Sequence, residues 1–516
     1  MRVLFVTSEF YPLVKTGGLA DVSAALPLTL AGLDIDARVM LPGYAEALDR
    51  AVHCGNAVPL GELPGAGRVR LLPAQCPASG LPLWLVDCPP LYCRVGGPYQ
   101  DPDGRDWADN DVRFAALSHA AARVARGGRG MDWGPDVVHA NDWHAGLLPL
   151  LLGGDPAPRP ATVLTIHNLA FQGLFDADRL PRLGLPAESF SPDGIEFYGR
   201  ISFLKAGIRY ADRLTTVSRT YAREIRTPEF GCGLDGLLRS RAGDLVGIPN
   251  GADYGVWDPA RDPNLPRRYD LANIGGKRAC KEVLQRELGL DSAPDAPVVA
   301  FMSRLTEQKM ADTVADAVPA LLEAGALFAL HGQGDRAIER RFLALARRHP
   351  GRVSVEIGYD ERRARRLLAG ADILLHPSRF EPFGLVPIYA MRYGTVPVVR
   401  RVGGLADNVA DAMDRGDGEA TGFAFSGDSL ADMEACLARA VAAFRQPVTW
   451  RRIQRRGMSQ DFGWQGPARD YLALYRSLAG SRADRCPPEP VRRPAPQSAG
   501  PLTRRPDPVR APLTKA

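Results

Sequence analysis

The residues with most chemistry to offer sit in loops that follow apolar runs. Lys15-Thr16-Gly17-Gly18-Leu19-Ala20-Asp21 follows a strand-like run, 3–7, and opens a helix-patterned segment, 18–31. Paired glycines let backbone approach a ligand with no Cβ in the way. A helix start beyond them offers N–H groups and partial positive charge, and Lys15 adds a full charge; both suit phosphate. The alternative is a plain strand-to-helix turn. The five residues from Gly17 recur as Gly403-Gly404-Leu405-Ala406-Asp407, again between a strand-like run and a helix-like one. The recurrence suggests two similar α/β halves, each presenting a helix start.

Arg304 and Lys309 lie in Ser303-Arg304-Leu305-Thr306-Glu307-Gln308-Lys309. Two cations just past a strand can hold a diphosphate and stabilise charge on a departing nucleotide. Either alone would read as a solvated loop ion pair. Glu381 lies in Glu381-Pro382-Phe383-Gly384-Leu385. Its carboxylate suits sugar hydroxyls while the helix opened by Gly384 and Leu385 faces phosphate; a helix cap is the alternative. His167 ends the run 162–167 and could bond a sugar, although a lone His there is more often structural. Asp142, Trp143 and His144 set a carboxylate beside an aromatic plate, which suits carbohydrate or core. Tyr99 is a loop aromatic that could stack on an acceptor sugar or pin its own loop. Tyr359, after Ile357-Gly358, is a candidate nucleobase platform or a half-buried surface tyrosine. No histidine spacing matches a metal set, and no Walker A loop, Gly-x-Ser-x-Gly elbow or G-x-G-x-x-G fingerprint occurs.

These loops need a scaffold that gathers strand ends. Apolar runs at 3–7, 37–41, 136–140, 162–167 and 214–218 are flanked by helix-like segments. A more β-like, Pro/Gly-rich stretch covers 54–103, with short strands at 69–72 and 83–86. A second series runs through 298–302, 327–330, 353–357, 373–375 and 396–399. Near-continuous apolar strands between helices indicate parallel sheets covered on both faces. The expectation is α/β, with two doubly wound Rossmann-like domains at 1–250 and 251–460. A final amphipathic helix is expected in 461–482, and a disordered Pro/Arg-rich tail at 483–516. Ligands of such sheets bind outside the carboxyl ends of the strands, where these loops lie.

Composition narrows the class. The chain has 516 residues and net charge +5. The last 30 residues carry five Arg, one Lys, one Glu and one Asp, so the body is near neutral. That balance argues against nucleic-acid binding. No run reaches the roughly 20 apolar residues of a membrane span. The eight cysteines are scattered without a C-x-x-C pair, which predicts reduced thiols and a cytoplasmic setting.

Seven stretches in order carry a resemblance. They are Lys15 to Val22; Asn141-Asp142-Trp143-His144-Ala145-Gly146; Thr165 to Gly173; Pro249-Asn250-Gly251-Ala252-Asp253; Ser303 to Lys309; Pro377-Ser378-Arg379-Phe380-Glu381-Pro382; and Arg401 to Asp407. Over about residues 1–480 the chain resembles bacterial glycogen synthases and plant starch synthases. The resemblance implies a GT-B fold with an interdomain cleft, no metal and no cofactor. It implies transfer of glucose from ADP-glucose to the non-reducing end of an α-1,4-glucan with retention. By it, Glu381, His167, Arg304 and Lys309 are the catalytic set. Lys15, Gly17 and Gly18 join Arg304 and Lys309 on the diphosphate and donor, with Gly384 and Leu385 on the same side. Asp142 and Tyr99 face the acceptor, and Asp21, Asn250 and Tyr359 contact the nucleoside or donor. The partners implied are a nucleotide sugar and glycogen. The alternatives are a GT-B transferase using UDP-glucose and an inactive glucan-binding homologue. Three positions depart from the pattern: Met310 where Gly is usual, Phe383 where Cys is frequent, and Val386 where Thr is frequent.

Overall fold

The computed structural model describes residues 1–127, 132–154, 158–415 and 419–480. The tail expected to be disordered, 483–516, lies outside them.

The first half is built on a ten-stranded sheet. Leu245–Gly247, Arg213–Thr216, Ala161–Ile166, Val137–Asn141, Arg2–Val6, Asp36–Pro42 and Pro82–Asp87 run parallel, in that order. Gly67–Gln75 then pairs antiparallel, and Val52–His53 and Val58–Leu63 pair onto it. Every residue of Val137–Asn141 and Ala161–Ile166 is buried, which is why these strands read as unbroken apolar runs. The second half holds a six-stranded parallel sheet: Val353–Ile357, Leu327–Gly332, Val298–Met302, Ile373–His376, Val396–Arg400 and Phe423–Phe425.

Strand order reverses at Arg2–Val6 in the first sheet and at Val298–Met302 in the second. Crevices form at such switch points because successive crossovers leave in opposite directions. Glu9 and Asp142 follow the strands flanking the first crevice; Arg304 and Glu381 follow those flanking the second. Topology alone therefore collects the expected site loops.

Two features go beyond the sequence reading. A small antiparallel sheet forms from Leu174–Asp176, Arg200–Ser202 and Glu196–Phe197. Its strands are too short for periodicity to reveal. The last helix, Gln465–Gly480, does not pack on the half that precedes it but returns to the first. Tyr471 and Tyr475 are buried in the first half's core, and Tyr475 Oη lies 2.7 Å from His139 Nδ1. The outgoing and returning chains run side by side, with the Ala252 N–H donating to the Phe462 carbonyl at 2.7 Å. The two crossings between the halves are thus adjacent.

Candidate active site

The helix Gly18–Ala31 begins after Gly17, and no side chain caps it. The helix Leu385–Arg392 begins after Gly384, again without a side-chain cap. Ser202, Ser218, Asp335, Asp360 and Ser429 cap their helices with side-chain oxygens, whereas Asn110–Ala125, Gly276–Glu287, Ala311–Glu323 and Pro447–Met458 also begin without a side-chain cap, so it is the meeting of two bare starts that sets this place apart. Such a cap contributes about 1 kcal/mol, so two bare starts forgo stabilisation that a bound anion can supply. The two bare starts face one another: a Cβ on Gly18 would stand 3.3 Å from Leu385 Cδ1. Gly384 has φ 84°, and a Cβ there would meet Leu405 at 2.5 Å, so glycine is required to open the second helix.

On the second half, Glu381 is buried and engaged by three donors through one oxygen. Lys309 Nζ forms an ion pair with it, and His376 Nε2 and Ser378 Oγ each donate at 3.2 Å. Burial opposes ionisation, but Lys309 and His376 outweigh it and hold the carboxyl well below the usual range. Glu381 is therefore a fixed anion. Arg304 is exposed, and among the described residues its side chain makes only a long 3.5 Å approach to Gln308 Oε1. The buried hydroxyls of Ser303 and Thr306, in the same loop, have no partner among the described residues. Met310 closes that loop fully buried in the left-handed region, φ 52° and ψ 31°, a backbone conformation that favours glycine.

On the first half, Lys15 forms a 2.8 Å ion pair with Asp21 and lies 5.2 Å from the Tyr11 ring centroid. Burial pushes the Lys15 amine down, but Asp21 more than restores it; burial raises the Asp21 carboxyl. Lys15 also feels Tyr359 and Glu361 of the opposite half. Tyr359 is 67% exposed beside a cleft of about 420 Å³ lined with His331, Glu356, Asp360 and Arg363.

Asp142 and His167 end neighbouring strands and meet. Asp142 Oδ1 accepts the His167 N–H at 2.7 Å and the Asn168 N–H at 3.3 Å. Burial nevertheless raises its carboxyl to about 7. Burial also lowers His167 to about 3, so the imidazole is neutral. Asn141 Nδ2 donates to the Val6 and His139 carbonyls, which aims Asn141 Oδ1 at His167 Nε2, 2.9 Å away. That contact places the His167 proton on Nε2 and leaves Nδ1 as an acceptor.

Tyr99 commits its hydroxyl to Glu9 Oε1 at 2.6 Å and to Ser8 Oγ at 2.8 Å, and its ring stacks on His144 at 4.7 Å. Its contacts here are thus within its own half. Asn250 is buried where the chain leaves the first half, and its Oδ1 has no partner among the described residues. Sequence reasoning passed over Glu9, whose Oε2 accepts the Thr16 and Gly17 N–H groups at 2.5 and 3.0 Å and so shapes the Gly17–Gly18 turn. Its position, directly after the switch-point strand, was the available signal. His376 and Ser378 were likewise visible only as strand-end polar residues.

The structure brings together Lys309 with Glu381, Asp142 with His167, Lys15 with Asp21, and Gly18 with Leu385. In the recurring Gly403–Asp407 turn the first N–H is bonded to Glu224 of the other half, whereas the corresponding Gly17 N–H is bonded to Glu9 of its own half.

Comparison with known proteins identifies the fold and the family. Residues 2–240 match the starch synthase catalytic domain, and residues 289–441 match glycosyl transferases group 1. The chain is 54% identical to a glycogen synthase of Burkholderia thailandensis, over 93% of this chain and 91% of that one. It is 51% identical to a glycogen synthase of Paramagnetospirillum magneticum, over 93% and 98%. The catalytic domain of Starch Synthase IV from Arabidopsis thaliana, bound to ADP and acarbose, superposes with a TM-score of 0.83 at 29% identity, covering 93% of this chain and 99% of that one. With half its residues shared along nearly the full length of bacterial glycogen synthases, the chain belongs to the glycogen and starch synthase family of GT-B glucosyltransferases.

Proposed function

We propose that this glucosyltransferase moves glucose from ADP-glucose to the non-reducing end of an α-1,4-glucan, with retention, in the gap between its halves. The observation that carries the reading is the meeting of two uncapped helix starts, Gly18 and Leu385, in the half-gap that also holds Lys309 and Glu381. The ADP and acarbose named with the Arabidopsis structure support a nucleotide and an oligosaccharide as ligands.

Breaking the glucosyl bond leaves a diphosphate anion and an oxocarbenium-like sugar. Helix N–H groups, Lys15, Arg304 and the remaining Lys309 donors stabilise the anion as it forms. Glu381, held ionised, accepts from sugar hydroxyls and opposes the positive charge. His167, neutral and oriented by Asn141, presents Nδ1 to the donor sugar. Asp142 and Tyr99 form the acceptor side. Tyr359 beside its cleft receives the nucleobase, with Asp21 and the unpartnered Asn250 Oδ1 toward the nucleoside or donor. Closing the gap excludes water that would hydrolyse the donor. Among the described residues no helix is long and apolar enough to cross a membrane, and a cytoplasmic setting accords with the seven described cysteines being unbonded.

The test is incorporation of labelled glucose into glycogen, from ADP-glucose and from UDP-glucose, without added metal. Incorporation from ADP-glucose is expected. Incorporation from UDP-glucose alone, or glucan binding without incorporation, contradicts the reading.

A further inference from the structure

The second Gly-Gly-Leu-Ala-Asp turn is unused in the chemistry above, yet it touches both halves. The Gly403 N–H donates to both carboxylate oxygens of Glu224, at 2.9 and 3.0 Å. Glu224 ends the helix Arg219–Glu224 of the first half. From the start of that helix Thr220 donates to Asp407 through its N–H at 3.0 Å and its hydroxyl at 2.6 Å. On its other side the turn backs the Glu381 loop: the Gly404 N–H donates to the Glu381 and Pro382 carbonyls, both at 3.1 Å. There is no slack in that contact. A Cβ on Gly403 would lie 1.9 Å from the Glu381 carbonyl oxygen, and one on Gly404 would lie 2.2 Å from the Phe383 oxygen. Gly403 also has φ 45°.

A carboxylate of one half thus grips an N–H whose neighbour supports the backbone carrying Glu381 in the other half. We propose that Glu224 is a positioning residue that couples the approach of the two halves to the placement of Glu381. When the halves part, Glu224 withdraws, Gly403 loses its acceptor and the turn behind Glu381 loses its brace. When they meet, the brace is restored just as the donor is enclosed. The proposal rests on Glu381 standing at the reacting sugar.

An interface contact that only adds stability would shift the thermal midpoint and leave turnover alone. Positioning predicts a different pattern, because a misplacement of about 1 Å near reacting atoms costs on the order of 100-fold. Glu224→Ala should lower kcat by about 10- to 100-fold, with ADP-glucose KM changed less than about threefold. Glu224→Gln keeps an oxygen for Gly403 and should stay within about threefold of wild type. Glu224→Asp withdraws the carboxylate by one methylene and should lose kcat as the alanine variant does, which keeps the test available if Glu224→Ala fails to fold. Wild-type kcat in Glu224→Asp or Glu224→Ala, or equal losses in Glu224→Gln and Glu224→Ala, overturns the proposal. Glu381→Ala, assayed alongside, reports on the site itself: activity there refutes the role of Glu381, whatever the Glu224 series does.

Discussion

Gly18 and Leu385 start two helices in opposite halves of the chain, and a single added carbon on Gly18 would come within 3.3 Å of the Leu385 side chain. The approach sets two positive helix ends side by side with no capping side chain on either. Like ends repel, so the arrangement is stable only when the halves are held by other contacts or when an anion lies between them. A diphosphate fits that requirement.

The glycines of the first turn give a clean test. Gly17 is extended, φ −150°, and nothing lies within 4 Å of a Cβ placed there. Gly17→Ala should therefore change stability by no more than about 0.5 kcal/mol. A phosphate approaching that backbone would meet the added methyl, so ADP-glucose KM should rise about tenfold, or about 1.4 kcal/mol. Unchanged KM removes this turn from the donor site.

Glu381 is buried and its partner Lys309 is partly buried, so losing Lys309 leaves an uncompensated charge. Lys309→Ala should cost about 3 kcal/mol of stability and at least about 100-fold in kcat. Adding Glu381→Gln should recover part of the stability and none of the activity. Thermal melts and single-turnover rates on the single and double variants check both.

Asp142 gives a pH signature. Its carboxyl titrates at about 7 in the folded chain, raised by burial, against about 4 when unfolded. Between these values the folded state binds the extra proton, so this group makes stability fall as pH rises from about 4 to about 7. Asp142→Asn keeps an oxygen for the His167 N–H and removes the titration. Its thermal midpoint should exceed that of wild type at pH 8, and the gap should close at pH 4.5. A constant gap across that range contradicts the buried, raised carboxyl.

Met310 sets two effects against each other. Its left-handed backbone costs on the order of 1 kcal/mol, which Met310→Gly would relieve. The same change removes a fully buried side chain, worth roughly 2–5 kcal/mol. Burial wins, and Met310→Gly should be less stable by roughly 1–4 kcal/mol. A more stable variant would mean that the backbone strain dominates.

Much of this molecule could be read before its structure. Runs such as Val298–Met302 are apolar because both sheet faces are covered, and the polar residues after them had to lie at the crevice. Pairings across the fold were not legible. The twin Gly-Gly turns are alike in sequence, but Glu224 on a distant helix holds the N–H of Gly403 while Glu9 of the same half holds that of Gly17. Lys309 read as a phosphate ligand, whereas its contact with Glu381 arises because their loops leave adjacent strands, Val298–Met302 and Ile373–His376. Tyr99 shows the same limit: the sequence marks an aromatic in a loop, and only the fold brings Glu9 and His144 to it.

The most direct test is a crystal structure of this enzyme with ADP. The account predicts a diphosphate between the first turns of Gly18–Ala31 and Leu385–Arg392, with Arg304 and Lys309 on it. ADP held by one half alone, away from Gly18, would contradict it.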